Sequence, residues 1–127
     1  MIVVDTHTLI WWVTEPAQLS KVARFALDEE DTIALSAITC WEVAMLAQRG
    51  RIAIDDVEAW LYDVTALPRI AVIPLNVDIA VRAVSLPATF PADPADRIIA
   101  ATALCFGVPL VTKDGRIRDS GVLSTVW

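Results

Sequence analysis

The 127-residue chain is predicted to fold as an α/β domain, a parallel sheet covered by helices on both faces. Three observations carry this expectation. Short β-branched runs alternate with helical segments, the helices have recognisable caps and stops, and one late segment is apolar nearly all round, as a helix enclosed between layers must be. The whole chain, 1–127, is read as a single domain, because no repeat, low-complexity tract or linker interrupts it.

Strands are expected at Ile2 to Val4, Thr32 to Leu35, Ile70 to Ile73 and Leu110 to Thr112, with Val122 to Trp127 a weaker fifth. Ser20 can open a helix to about Asp28, and Ser36 one that ends near Gly50. Asp55 with Glu58 three residues on reads as a capping box before a helix ending ahead of Pro68, and Asn76 opens one ending before Pro87. Ala88 to Pro94 is the expected exposed loop. Asp93 then falls at the N-cap, Pro94 at the first helical position and Asp96 in the first turn of a helix that runs to Phe106 and stops at Gly107.

Apolar residues make up 56% of the chain, so either the core is large or a partner covers an apolar patch. Met1 to Asp5 lacks the basic leader and apolar stretch of a signal peptide, and Ile98 to Val111 is too short and too broken by Gly107 and Pro109 to span a bilayer. A cytoplasmic protein without membrane attachment is expected, with Cys40 and Cys105 as reduced, buried thiols.

A net charge of −6 argues against a general binder of polyanions. Two divalent cations held by four carboxylates would cancel most of it, and Arg97, Lys113, Arg116 and Arg118 flank Asp96 and Asp114, so the local sign can differ from the global one. Asp5 ends the first strand and Asp114 follows the fourth, at the strand ends where parallel sheets bind ligands. Asp96 at a helix start can face the same edge. Glu42 is a carboxylate in apolar company, between Ile38, Trp41, Val43 and Met45. Carboxylates are the hard oxygen donors that Mg²⁺ and Mn²⁺ take, and such ions activate water for attack on phosphorus. Each acid also has an ordinary reading: Asp5, Asp93 and Asp96 as helix caps, Asp114 as the first residue of a turn.

The segments Val3-Val4-Asp5-Thr6-His7, Ser36 to Ala44 around Trp41-Glu42, Asp93-Pro94-Ala95-Asp96-Arg97 onward to Ala103, and Leu110-Val111-Thr112-Lys113-Asp114 together resemble the PIN domain of VapC-type toxins in order, spacing and total length. This resemblance covers essentially the whole chain. It implies a three-layer α/β/α PIN-like fold with a central parallel sheet, dependence on Mg²⁺ or Mn²⁺, and hydrolysis of RNA phosphodiester bonds. It further implies a homodimer and a cognate VapB-like antitoxin, through which alone operator DNA would be met. By position, the family's acidic metal-binding and catalytic residues fall on Asp5, Glu42, Asp96 and Asp114, with Thr6 and Thr112 as supporting hydroxyls. Asp93 matches a residue frequent in the subgroup but outside that quartet.

Lys113 and Arg116 bracket Asp114 and are candidates for RNA phosphates. Arg97 can pair with Asp93, contact RNA or be structural. His7 is read as a structural residue of the first helix, with the edge of the site as its alternative, since metal-activated water makes a histidine base unnecessary. Trp11 and Trp12 lie about 100° apart on a helix, so at least one is expected at a surface or an interface, while Trp41 and Trp60 are expected in the core. Haloacid-dehalogenase-like phosphatases also place an aspartate after the first strand but need a second two residues on, where this chain has His7. A catalytically silent binding module of the same fold is the remaining alternative, and the intact quartet counts against it. Repulsion within a true cluster should raise at least one carboxylate's pKa, and Asp114→Asn is expected to relieve it without loss of metal-free stability.

Overall fold

A computed structural model describes all residues, 1–127. Five strands, β1 (Ile2–Val4), β2 (Ile33–Ser36), β3 (Ile70–Ile73), β4 (Leu110–Val111) and β5 (Thr125–Val126), form one parallel sheet in the order β3-β2-β1-β4-β5. Alternation within the strands builds two cores. Ile2, Val4, Ile33, Leu35 and Val111 share a core with Leu9 of α1 (Thr6–Thr14), Leu27 of α2 (Lys21–Glu29) and Val64 of α4 (Val57–Thr65). Val3, Ala34 and Leu110 share the other with Ile99, Ala100 and Ala103 of α6 (Pro94–Phe106) and with Ile117 of α7 (Gly115–Asp119). The expected three-layer α/β/α arrangement is therefore what forms.

Helix α6 is the central one. One side faces the sheet and the other, through Ala101, meets Ile79 and Ala83 of α5 (Val77–Val84). Small side chains let these backbones come close, which is why the segment reads as alanine-rich and apolar on every side. Asp93 caps it by accepting from the Asp96 amide at 3.1 Å, and Gly107, at φ 65, ends it in the left-handed conformation that favours glycine. The winding order matters for function. The chain builds β1, β2 and β3 outward in one direction, then crosses back to lay β4 and β5 on the other side of β1. The sheet's switch point lies between β1 and β4, and there the loops after the two strands part to leave a crevice.

Several local expectations are corrected. β4 stops at Val111 and β5 is only two residues long. Asp56, not Asp55, caps α4, because its carboxylate must reach the third helical amide, that of Ala59, at 3.0 Å; Glu58 is then one position too early for a capping box. Ser36 stands at the start of α3 (Ala37–Gln48) but is buried within β2 and makes no side-chain cap bond. The loop before α6 is not simply exposed: Phe90 is buried and anchors it. Cys105 is exposed and Cys40 half-buried, both free thiols. Trp41, expected in the core, is 56% exposed, whereas Trp60 packs against the first core as expected, and Trp11 and Trp12 both lean on that core while remaining partly exposed at the surface. The apolar surplus emerges instead on α5, where Val77, Val81 and Val84 form an exposed stripe at helical spacing. No helix is long and apolar enough to cross a membrane.

The tight α5–α6 contact predicts that Ala101→Leu, which must displace Ile79 or Ala83, lowers stability by about 1–3 kcal/mol. Thermal unfolding followed by circular dichroism checks this; an unchanged or higher midpoint would show that the layer has room to spare.

Candidate active site

At the switch point, a cavity of about 570 Å³ is lined by Asp5, Thr6, His7, Trp11, Glu42, Arg51, Asp93, Asp96, Lys113, Asp114 and Arg116. Five carboxylates thus face one space, set against three fixed cations. Each comes from a different kind of local structure. Asp5 ends β1 and caps α1, its Oδ1 accepting from the Thr8 amide at 2.8 Å. Asp114 follows β4 and caps α7, accepting from the Arg116 amide at 2.9 Å. Asp93 and Asp96 open α6, and Glu42 stands in the second turn of α3.

Two buried hydroxyls fix this ring. Thr112 donates to Oδ2 of Asp5 and accepts from the backbone amide of Asp114 at 3.1 Å, so one side chain ties the ends of β1 and β4 together. Thr6 donates to Oε1 of Glu42, joining α1 to α3. Both hydroxyls spend their protons on carboxylate oxygens, which holds those carboxylates in single orientations; each bonded oxygen keeps a second lone pair for a further partner.

Electrostatics divides the acids. Burial and then the charges of Asp93, Glu42, Asp114 and Asp5 push Asp96 up from 3.8 to about 7. Glu42 is also raised, chiefly by burial, with the Thr6 hydrogen bond acting against the rise. Burial would raise Asp114 too, but hydrogen bonds from the Arg116 side chain and amide outweigh it and hold Asp114 below the usual carboxylate range. The expectation that Asp114 carries the strain of the cluster is therefore corrected. Arg116, its side chain 3.2 Å from Asp114, screens it, whereas Asp96 is more buried, forms no ion pair, and is the acid pushed up.

At two further residues the structure selects among readings the sequence left open. Arg97 does not pair with Asp93 or turn towards the cavity. Its guanidinium donates to the carbonyls of Ala83, Leu86, Pro87, Phe90 and Pro91 and lies 5.9 Å from the centre of the Phe90 ring. One planar fork thus meets five carbonyls from the last turn of α5 and the loop after it, among them that of Pro87, which also accepts from the Phe90 amide, and this fixes the approach to Asp93. His7 stands exposed at the edge of the cavity and packs its ring 5.7 Å from that of Trp11, one turn on along α1, so both readings of it hold. Trp11 also carries the Lys113 ammonium 5.5 Å from its ring centre. Arg51 was not singled out from the sequence. It reaches the cavity because α3 ends in a tight turn in which Gly50 takes φ 66 and the Arg51 amide donates back to the Leu46 carbonyl at 2.9 Å. The Arg49-Gly50-Arg51 sequence after a helix was the available signal.

The donor set is all oxygen apart from His7, the chemistry that Mg²⁺ and Mn²⁺ accept. No three side chains converge tightly enough to enclose an ion alone. One or two carboxylates with water completing the shell is the mode Mg²⁺ favours, and the residues present fit it.

The opposed shifts predict opposite mutational effects without metal. Between about pH 4 and 7 the folded chain keeps a proton on Asp96 that the unfolded chain has released, so this acid lowers stability as pH rises and the penalty persists above 7. Asp114, held low, contributes stability above its ordinary range and loses it on acidification. At pH 8 in EDTA, Asp96→Asn should melt a few degrees above the parent, a gain on the order of 1 kcal/mol after solvent screening, while Asp114→Asn should melt at or slightly below it. Calorimetry of the three proteins decides; a destabilised Asp96→Asn would remove the repulsion argument.

The PIN domain family's pattern matches residues 2–122. Ribonuclease VapC22 of Mycobacterium tuberculosis is 40% identical over 119 residues, covering 93% of this chain and 90% of that protein. Among solved structures, a toxin-antitoxin complex from Klebsiella pneumoniae superimposes with a TM-score of 0.71 at 24% identity, over 100% of this chain and 97% of that one. VapBC2 from Rickettsia felis, bound to a DNA fragment from their promoter, does so with a TM-score of 0.71 at 16% identity, over 98% and 97%. At those identities the two structures speak for the fold, which they share from end to end. The sequence match speaks for descent: this chain belongs to the PIN-domain family and, within it, to the VapC proteins.

Proposed function

We propose that the chain, acting as one domain over 1–127, is a metal-dependent endoribonuclease that hydrolyses RNA phosphodiester bonds and is the toxin of a pair with a VapB-like antitoxin. The observation that carries this is the gathering of five carboxylates at the sheet's switch point, with Asp96 pushed up to about 7 by burial and by the others. Such a cluster is costly unless cations meet it. PIN-domain VapC ribonucleases are generally dependent on divalent metals. Asp5, Glu42, Asp96 and Asp114 would hold Mg²⁺ or Mn²⁺, which when bound supplies an activated water and positive charge beside the phosphate.

The chain's own residues have separable tasks. Thr112 and Thr6 orient Asp5 and Glu42. Asp93 keeps the first turn of α6 in place beneath Asp96. Lys113, Arg116 and Arg51 stand at the cavity as counter-charges for phosphates flanking the scissile one. Arg116 is largely exposed, so exchanging its Asp114 contact for a phosphate costs little. The exposed valines of α5 supply a face for a second copy, and a cytoplasmic setting suits a protein that acts on RNA.

Cleavage of single-stranded RNA should require Mg²⁺ or Mn²⁺, stop in EDTA, and fall at least 100-fold in Asp96→Asn, an expectation of the order seen when a charge-stabilising group is removed. The products should carry 5′-phosphate and 3′-hydroxyl ends. Undiminished cleavage by metal-stripped protein, or 2′,3′-cyclic phosphate ends, would overturn the mechanism; metal binding with no cleavage of any RNA would favour a silent binding module. Sedimentation should show a dimer, and a strict monomer at high micromolar concentration would remove the α5 face from that role.

A further inference from the structure

Beside the acidic cavity runs a second depression of about 400 Å³ with the opposite character. One wall is a stripe of α3, Ile38, Trp41 and Met45, which recur at helical spacing; the other is the start of α6 at Pro94 and Ala95, and Arg49 stands at its far end. Its surface is mostly apolar. The two spaces adjoin, with Glu42 and Asp93 lining both. Ile38 leans on the second core, but Trp41 belongs to no core cluster and is 56% exposed. An indole left more than half in water forgoes apolar contact that an occupant could supply, so its position beside a reaction cavity calls for one.

Adjacency selects that occupant. A strand whose phosphate lies over the carboxylates must leave the cavity along a wall, and on this side, past the shared border of Glu42 and Asp93, the wall is mostly apolar, carries the Trp41 indole and includes the cation of Arg49. That sequence of surfaces matches one nucleotide step: charge, then a flat π-face, then charge. Unpaired bases stack on exposed aromatic side chains, and single-stranded RNA is recognised chiefly in this way. We propose that the trough between α3 and the start of α6 is a base-binding subsite, in which Trp41 stacks an unpaired nucleobase adjoining the scissile phosphate and Arg49 meets the next phosphate. This rests on the ribonuclease reading and adds to it the preference for an unpaired, stackable base on one side of the cut.

The test uses a single-stranded RNA that the wild-type protein cleaves at a mapped position, and a series in which each nucleotide flanking the cut is replaced in turn by an abasic ribose. For wild type, one abasic position should lower kcat/KM by about 5- to 150-fold, the range for loss of one stacked base. Trp41→Ala should lose a similar factor on the intact RNA, mainly through KM, and become indifferent to that abasic position. Trp41→Phe should keep most of the activity, and both variants should melt like the parent because the side chain lies outside the cores. A binding readout separates this proposal from the one beneath it. Quenching of indole fluorescence by the RNA in EDTA should weaken markedly in Trp41→Phe, whether or not any cleavage occurs. Quenching of that kind with no cleavage by wild type in Mg²⁺ or Mn²⁺ would keep the subsite and overturn the nuclease. Abasic penalties equal in wild type and Trp41→Ala, or full activity of Trp41→Ala on intact RNA, would overturn the subsite, the second result pointing to a protein segment as the trough's occupant.

Discussion

The hydroxyl of Thr112 is the joint on which the site depends. It donates to Asp5 at the end of β1 and accepts from the amide of Asp114 just past β4. Those two strands are neighbours in the sheet but lie more than 100 residues apart in sequence, and the winding reverses between them. A crevice opens wherever winding reverses, and loops that border a crevice lack partners on one side. One buried side chain with one donor and two acceptor positions closes that gap. It does so without placing a charge in the core: it orients the Asp5 carboxylate and anchors the backbone of Asp114, whose own carboxylate is then held by the amide and side chain of Arg116.

Helix α6 makes the same argument from the other side. Its first turn carries Asp96 into the cavity, and its length is enclosed by the sheet and by α5, so it cannot tilt without opening two interfaces. What remains free is the loop that leads into it. Phe90 and Arg97 restrain that loop, one by burial and the other by hydrogen bonds to five backbone carbonyls. A lysine could supply the charge but not the planar fan of donors, so the loop's rigidity depends on the guanidinium as such. Positioning of Asp93 and Asp96 is therefore a property of the α5–α6 connection as much as of the site.

How far the sequence could be read follows from the range of the signals. The β/α alternation, the capped start of α6 and its glycine stop are local, and they appear where they are expected. Asp5, Asp96 and Asp114 stood out because each adjoins a strand end or a helix start, and Glu42 because its neighbours are apolar. The residues that escaped are those whose position depends on tertiary contacts. Nothing local says that Arg97 turns back onto a loop ten residues before it, or that Trp41 stays in solvent while Trp11 and Trp12 lean on the core; Arg51 had a local signal in the glycine turn that ends α3, but not one that says the turn faces the cavity. The Asp55–Glu58 box failed by one residue because Asp56 offers the same chemistry at the better distance. Asp114 was misjudged in a different way: its place in the cluster was foreseen, but not that Arg116, two residues on, would neutralise it.

That last point bears on how a protein of net charge −6 can meet a polyanion at all. The cavity is not uniformly negative. Arg116 and Lys113 lie on the β4 side and Arg51 at the end of α3, while Asp96, with no cation of its own, holds a proton up to about pH 7. Both devices lower the negative potential that an approaching phosphate would encounter, one by a fixed positive charge and the other by a proton that can leave. A proton is the smaller commitment: a divalent cation can displace it, so the site can be nearly neutral without metal and nearly neutral with it. The acids are then compatible with a nucleic-acid substrate because fixed cations, a cavity proton below about pH 7 or a bound divalent cation offset part of their charge, and the long-range repulsion implied by the overall composition falls away within about one screening length of the surface, roughly 8 Å at physiological salt.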